Sequence, residues 1–469
     1  MTPPLPVPVW ATAAASPGAN ASGGLDGGLD GDIRADVVVV GAGAAGLWTA
    51  YYLVEADPAL DVVVLEEGRV ATGGSARGLG SCSARLPVSG ADVARSHGPG
   101  AARSLRAAMR DAVVEVGGVA AAEEVDCGFV YAGAVTVART LPQLARVRAR
   151  TAAAAAWGDE EHLLAPDEVA RHVAVPGVLG GSWTPDSARL DPARLLRGLA
   201  GVLGARGVRL VEGTRVVRVS PGAVVTEHGT VRTRVVIQAP GARTPALPGP
   251  DRRVTSAVLD LIATEPLGEA RWEAVGLARG QGLADAAHDR LEVGRTEDGR
   301  LVAALPARRG ATVAGGRGSA GAGRGDTGGA GADGPGTRDV ERLRRRLADV
   351  LPGADGAQVT HAWRAAVAVT RDGMPRVGLD RDTGLGWATG FGRDGLAAAN
   401  VAGRTLADLV TGSVTELTRL PWVGHEGGGP RWAPSIGTAV VLASHVDPLA
   451  DAVEARTGRG ARGLPLVRW

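Results

Sequence analysis

The sequence predicts an α/β protein: a doubly wound, largely parallel sheet interrupted by insertions that build a mixed-sheet α+β domain. Three observations predict it. A complete βαβ unit runs through Asp36–Glu66; strand-like runs and helical patterns alternate around that unit; and the intervening blocks are mixed.

Each element has its own warrant. Val37–Val40 is an apolar run bounded by Asp36 and a glycine turn, the pattern of a strand buried on both faces. Gly41, Gly43 and Gly46 follow as G-x-G-x-x-G. The first permits a tight turn, the second lets backbone approach a pyrophosphate, and the third lets the helix pack closely on the strand. The next helix carries Leu47, Ala50 and Val54 at helical spacing and stops at Asp57-Pro58. Its N-terminus offers unpaired N–H groups and a positive dipole end to phosphate. Asp61–Leu65 is the second strand, and Glu66 at its end places a carboxylate where an adenosine ribose would lie.

Beyond this unit, residues 70–86 form a loop rich in glycine and serine. Arg103–Val119, Leu141–Trp157 and Pro166–His172 read as helices, and Phe129–Val137 as a strand. Asp191-Pro192 is an N-cap with proline at the first helical position, opening Ala193–Ala205. β-Rich segments lie in Val208–Val219 and Val224–Ala239, with a buried strand at Val235–Ile237. Ala257–Thr264, Leu301–Ala304, Val367–Val369 and Gly386–Gly390 are further strands; Thr337–Val350 and Leu396–Leu409 are helices. Residues 315–336 are low-complexity and cannot bury a core, so they read as a flexible insertion.

Composition narrows the function. With 469 residues, 45% hydrophobic, the chain is long enough for sizeable cores, and a formal charge of +1 gives no reason to expect nucleic acid or an anionic membrane as partner. All 51 basic residues are arginine, so no lysine is available for a Schiff base. Cys82 and Cys127 are too few for a disulfide framework and lack metal-site spacing, which predicts reduced thiols, no metal and a cytoplasmic protein. No apolar run is long enough for a membrane helix, and residues 1–34 read as a flexible leader.

Three features favour FAD over NAD as the dinucleotide. The cradle lies early in the sequence, with no separate nicotinamide site of the usual kind after it. The Gly73–Gly80 loop places Ser75 and Arg77 near the diphosphate or ribityl chain, and a guanidinium fork suits phosphate oxygens. Residues 388–409 couple a glycine-rich turn to a helix N-terminus, which would stabilise negative charge on a reduced flavin.

The segments DVVVVGAGAAGLWTAYYL, VVVLEEGRVATGGSARGLGSCSARL, LDPARLLRGLA, RVVIQAPGA, LIATEPL, TRDGMPRVGLD and GLAAANVAGRTLADL occur in family order across most of Asp36–Leu420. On them the chain resembles FAD-dependent oxidoreductases of the D-amino-acid oxidase/glycine oxidase superfamily, in the γ-glutamylputrescine oxidoreductase-like branch. The resemblance implies that Gly41, Gly43, Ala44, Ala45 and Gly46 hold the pyrophosphate and that Glu66, with Glu67 beside it, binds the adenosine ribose. Ser75, Ala76, Arg77 and Gly80 would line the flavin side, Val216 would meet adenine through its backbone, and Gly241 would end the strand beside the cofactor. Gly392, Arg393, Asp394, Gly395 and Leu396 would surround the isoalloxazine ring.

The fold expected is an FAD-binding Rossmann-type domain from residues 35–98, 183–248 and 355–415, with a substrate domain from 99–182 and 249–354 and a C-terminal extension at 416–469. Departures from the family pattern matter. Leu79 replaces a loop glycine, and Val367 stands where the amino-acid oxidases carry a carboxylate-binding arginine four residues after the tryptophan, here Trp363. Arg364 or Arg393 is then the candidate anion ligand, against a surface or structural role for each, and His361 is a weak candidate base. With no lysine to promote oxygen use, the electron acceptor is oxygen or another species. No cysteine lies near Arg371–Pro375 to tether flavin, so FAD is expected to be non-covalent. The expected reaction is oxidation of the C–N bond of a small amine or N-substituted amino compound; the competing reading is a flavin-binding protein that has lost catalysis and serves as a structural or regulatory partner.

Overall fold

Val37–Val40 lies at the centre of a six-stranded sheet ordered Arg209–Val211, Val62–Leu65, Val37–Val40, Val235–Gln238, Leu385–Thr389, Arg376–Asp380. The first five strands are parallel and the last is antiparallel. All four valines are buried because both faces of the sheet are covered, so the run does not alternate with polar residues. In this computed structural model the described residues are 4–12, 28–246, 254–278, 280–308, 334–425 and 436–461.

The two faces are covered differently. Val37, Val39, Val62 and Val64 pack into a core with helices Ala44–Ala56, Pro99–Ala122, Pro192–Ala205 and Gly395–Thr411. Val38, Val40, Val63 and Leu65 pack instead on a four-stranded sheet containing Val224 and Val231. Gly403 lets two helices meet closely: a Cβ there would lie 2.7 Å from the Trp48 backbone and Cβ. Helix Pro99–Ala122, assigned from sequence to the second domain, buries Leu105, Met109, Val113 and Val116 in the first core.

The second domain centres on an eight-stranded sheet running Val359–Thr370, Val254–Thr264, Leu301–Pro306, Glu292–Arg295, Gly282–Asp285, Ala134–Ala138, Gly180–Thr184, His162–Leu164. Only the Gly282–Asp285/Ala134–Ala138 pairing is parallel. Helix Thr337–Val350 seals it with Leu343, Leu347 and Val350, the apolar stripe of an otherwise charged segment. Ser81–Ser83, Ser187–Arg189 and Val130–Tyr131 form a three-stranded antiparallel sheet between the domains' larger sheets.

Several expectations are corrected. The strand expected at Val367–Val369 is the end of a twelve-residue strand paired along Val254–Thr264. Phe129–Val137 is two strands in different sheets, because Gly133 (φ 71°) turns the chain where a Cβ would meet Thr184 O at 2.5 Å. The 1–34 leader is anchored wherever it is described. Leu5 N–H donates to Thr360 O (2.8 Å), Ala362 N–H donates to Leu5 O (2.9 Å), and Trp10 is buried with Nε1 donating to Gly78 O (2.9 Å). Ile33–Arg34 adds an edge strand beside Thr230–Arg232. Residues 315–333 of the glycine-rich insertion lie outside the described residues. Among the described residues no helix is long and apolar enough to cross a membrane.

The N-terminal anchor gives a direct test. In Trp10→Ala the 4–12 segment should detach, and amide hydrogen exchange at Leu5 and Ala362 should lose its protection while the Val37–Val40 amides keep theirs. Unchanged protection at Leu5 would show that Trp10 does not hold this segment.

Candidate cofactor and substrate site

The glycine turn is built as its spacing requires. Gly41 has φ 103°, and a Cβ there would stand 2.6 Å from Ala239 O; at Gly46 it would stand 1.9 Å from Gly41 O. Helix Ala44–Ala56 therefore starts tight against the strand ends. The Gly74–Arg77 turn lies over that start, where Ser75 Oγ accepts from Ala44 N–H at 3.3 Å. Glu66 sits at the turn as well: its two carboxylate oxygens accept from Ala42 N–H (2.8 Å) and Gly68 N–H (2.9 Å). Burial raises its pKa against the pull of those two amides. Glu67 is paired with Arg243.

Arg77 faces the other domain. Its Nε donates to Arg364 O (2.7 Å), and its carbonyl accepts from Trp363 Nε1 (2.8 Å). Burial lowers its pKa. On their Cα side Gly73, Gly78 and Gly241 face open space: apart from their chain neighbours, no atom of the described residues lies within 4 Å of where a Cβ would be. Such bare backbone beside a helix N-terminus is the surface a dinucleotide diphosphate needs, so the residues present fit the group. Val216 opens the Val216–Ser220 strand, half-buried in the second-face core.

The Gly392–Leu396 turn brings Asp394 to a small cavity of about 30 Å³ between the Ser81–Ser83 strand and the eight-stranded sheet, with Arg393 beside it near Glu292. Arg85, Arg189, Arg290 and Glu292 also reach this space, and none of these four is evident as a site residue from sequence. Arg290 Nε stands 3.2 Å from Glu292 Oε1, and Arg393 Nη1 stands 3.8 Å from Glu292 Oε2. Burial opposes ionisation of Glu292, yet Arg290, Arg393 and Arg85 together hold its carboxyl below the usual range. Asp394 is pushed up, first by burial and then by Glu292. Arg85, whose Nη2 donates to Thr136 Oγ1 (3.0 Å), is pushed down to about 9 by burial and by Arg290.

The weaker sequence candidates fare differently. Arg364 is committed to an ion pair with fully buried Asp260 (2.9 Å) and to Asp339 (3.4 Å), so it is a strut of the sheet rather than an anion ligand at the cavity. His361 is buried beside the N-terminal segment, its Nδ1 2.9 Å from Thr360 Oγ1, and burial lowers its pKa. Val367 packs against Ala439 and Val440 of the C-terminal helix Ile436–Thr457. A larger cleft of about 800 Å³ lies at the far end of helix Ala44–Ala56, lined by Tyr52, Glu55, Arg103 and Arg404, away from the glycine turn.

A glycine-turn cradle, a second-domain sheet and a polar cavity between them define a dinucleotide-dependent oxidoreductase. Residues 36–409 match the FAD dependent oxidoreductase family, and the chain belongs to it: it is an FAD-dependent enzyme. It is 26% identical over 407 residues to γ-glutamylputrescine oxidoreductase of Escherichia coli (strain K12), covering 84% of this chain and 88% of that one. Over 264 residues, 54% of this chain and 62% of the relative, it is 24% identical to glycine oxidase of Bacillus licheniformis. The fold is shared with glycine oxidase from Geobacillus kaustophilus (TM-score 0.67, 20% identity, 84% of this chain and 99% of that one). It is also shared with L-amino acid deaminase from Proteus vulgaris carrying a deletion of its specific insertion sequence (TM-score 0.66, 20% identity, 88% and 99%).

Asp285, at the end of the Gly282–Asp285 strand, supplies a pH test beside this site. Burial pushes its carboxyl up to about 6, against Arg346 and two backbone donors. The folded protein keeps this proton where the unfolded chain, with a pKa of about 4, has lost it. Its contribution to stability therefore falls as pH rises from about 4 to about 6, by roughly 3 kcal/mol at most. Urea midpoints of wild type minus Asp285→Asn should show that slope over this interval and be flat above about pH 7.

Proposed function

We propose that this protein oxidises the C–N bond of a small amine or N-substituted amino compound, using non-covalently held FAD. The observation that carries the reading is the cavity itself, enclosed by Ser81 and Ser83 on one side, the Glu292–Arg295 strand on another, and Asp394 from the turn that would meet the flavin ring. Gly41, Gly43, Ala44, Ala45 and Gly46 would hold the diphosphate, Glu66 the adenosine ribose, and Ser75, Ala76, Arg77, Gly80 and Gly392–Leu396 the flavin end. FAD held there would supply the electron acceptor for removal of a hydride from the carbon beside nitrogen, and the imine left behind would be hydrolysed by water. The protein's own share is positioning and desolvation: the buried walls exclude water and the charged groups orient the substrate. Cys82 and Cys127 are both free and buried, which suits the cytoplasm.

Anaerobic mixing with a panel of amines, followed at the flavin's visible absorption, tests this reading. Bleaching by at least one amine class is expected, as is release of FAD into the supernatant after acid precipitation. Colourless protein that stays flavin-free after reconstitution, or flavin that no amine reduces, would overturn it.

A further inference from the structure

Residues 4–12 precede the family-matched stretch, yet they reach the loop that would meet the flavin end of the cofactor. Leu5 is fixed to the Val359–Thr370 strand by its two hydrogen bonds at Thr360 and Ala362, and Val9 and Trp10, each only 5% exposed, pack into the first core. The segment therefore crosses from the eight-stranded sheet to the glycine-turn domain. Trp10 backs the loop at two points: its Nε1 donates to Gly78 O at 2.9 Å, and a Cβ at Gly80 would lie 3.2 Å from its Cζ2. Leu79, between those two contacts, and Ser81, just after them, line the small cavity. Glycines at 73, 74, 78 and 80 make this loop costly to order, and a ligand that meets an unfastened loop bears that cost itself. Three fasteners relieve it. Arg77 is held by Trp363 and Arg364, Gly80 O accepts from Leu190 N–H (3.0 Å), and Gly78 is held by Trp10.

We propose that Trp10 is a positioning residue for FAD: it fixes the Gly78–Gly80 backbone from behind, so that the flavin-side loop meets the cofactor already ordered. This rests on the reading above that the Ser75–Gly80 loop lies at the flavin end. Release of FAD from the diluted holoenzyme, followed as the rise of flavin fluorescence, tests it. Trp10→Phe keeps an aromatic ring against Gly80 but loses the N–H, and release should quicken about 2- to 10-fold, the span of one neutral hydrogen bond. Trp10→Ala removes the ring as well and should quicken release at least about tenfold. In both variants amide exchange should rise at Leu79 and Ser81 and stay as in wild type at Ala42 and Ala44. Leu343→Ala is the control for lost stability alone: Leu343 is fully buried in the second core, and release there should stay within about twofold of wild type. Should Trp10→Ala fail to fold, Trp10→Phe decides the matter. Release at the wild-type rate in Trp10→Phe, or equally fast release in Leu343→Ala, overturns the proposal. Arg77→Ala keeps the two readings apart. Release unmoved by Arg77→Ala takes the flavin away from this loop and the proposal with it, whereas release quickened by Arg77→Ala but not by the Trp10 variants sinks this proposal alone.

Discussion

Gly46→Ala is expected to give a protein that no longer retains FAD through gel filtration and that unfolds at markedly lower urea. A Cβ at this position would stand 1.9 Å from Gly41 O and 3.2 Å from Val39 Cγ1. Neither partner yields cheaply. Gly41 O belongs to a turn already at φ 103°, where a Cβ of its own would meet Ala239 O, and Val39 is fully buried. The helix must lift from the strand, which moves the N–H groups that would meet the diphosphate. Overpacking of this kind costs about 3 kcal/mol, and cofactor affinity falls with the displaced amides. A variant that keeps flavin and the wild-type midpoint would show that close helix–strand packing is not what holds the cofactor.

The second large effect concerns Arg364. Removing its charge as Arg364→Met strands Asp260, which is fully buried and whose Oδ1 accepts from Arg364 Nε at 2.9 Å. The stability loss should be about 3–5 kcal/mol, the usual result of breaking one side of a buried pair. Burial already raises the Asp260 pKa against Arg364. The double change Arg364→Met/Asp260→Leu should recover most of the loss, because it removes both charges from the interior. Chemical denaturation of the three proteins measures this, and the anaerobic rate of flavin reduction in the double variant should stay within about twofold of wild type. A tenfold drop would restore Arg364 as an anion ligand.

Legibility followed the range of the signal. The cradle is local: Val37–Val40, the three glycines and Glu66 lie within 30 consecutive residues, and each position has a steric or electrostatic reason for its residue type. The sequence pattern therefore located it, along with helices such as Thr337–Val350 and Gly395–Thr411 whose apolar spacing is regular. The cavity is the opposite case. Arg85, Arg189 and the Arg290/Glu292 pair come from three separate stretches, and they meet only where the three-stranded sheet faces the eight-stranded one. One cue was present: an arginine inside the strand-like run Ser187–Leu190, just before the Asp191-Pro192 cap, is out of place on a buried strand unless it has a task. Arg364 was singled out for its place next to Trp363, but strand alternation points it away from the tryptophan, towards Asp260. The C-terminal helix is not legible in the sequence because its apolar residues form no clean stripe and Pro448 lies inside it.

The seam where Arg77 meets the Val359–Thr370 strand fixes how substrate can enter. Trp363 Nε1, the Arg364 carbonyl and the Ala366 carbonyl all press on the Gly74–Arg77 turn; a Cβ at Gly74 would stand 2.2 Å from the last. Swinging the two halves of the enzyme apart would sever both hydrogen bonds and open the close contact at Gly74. On the proposed reading, traffic to and from the cavity passes by local fluctuation of its walls, and turnover should tolerate cross-linking of the halves far better than stiffening of the segments around Asp394.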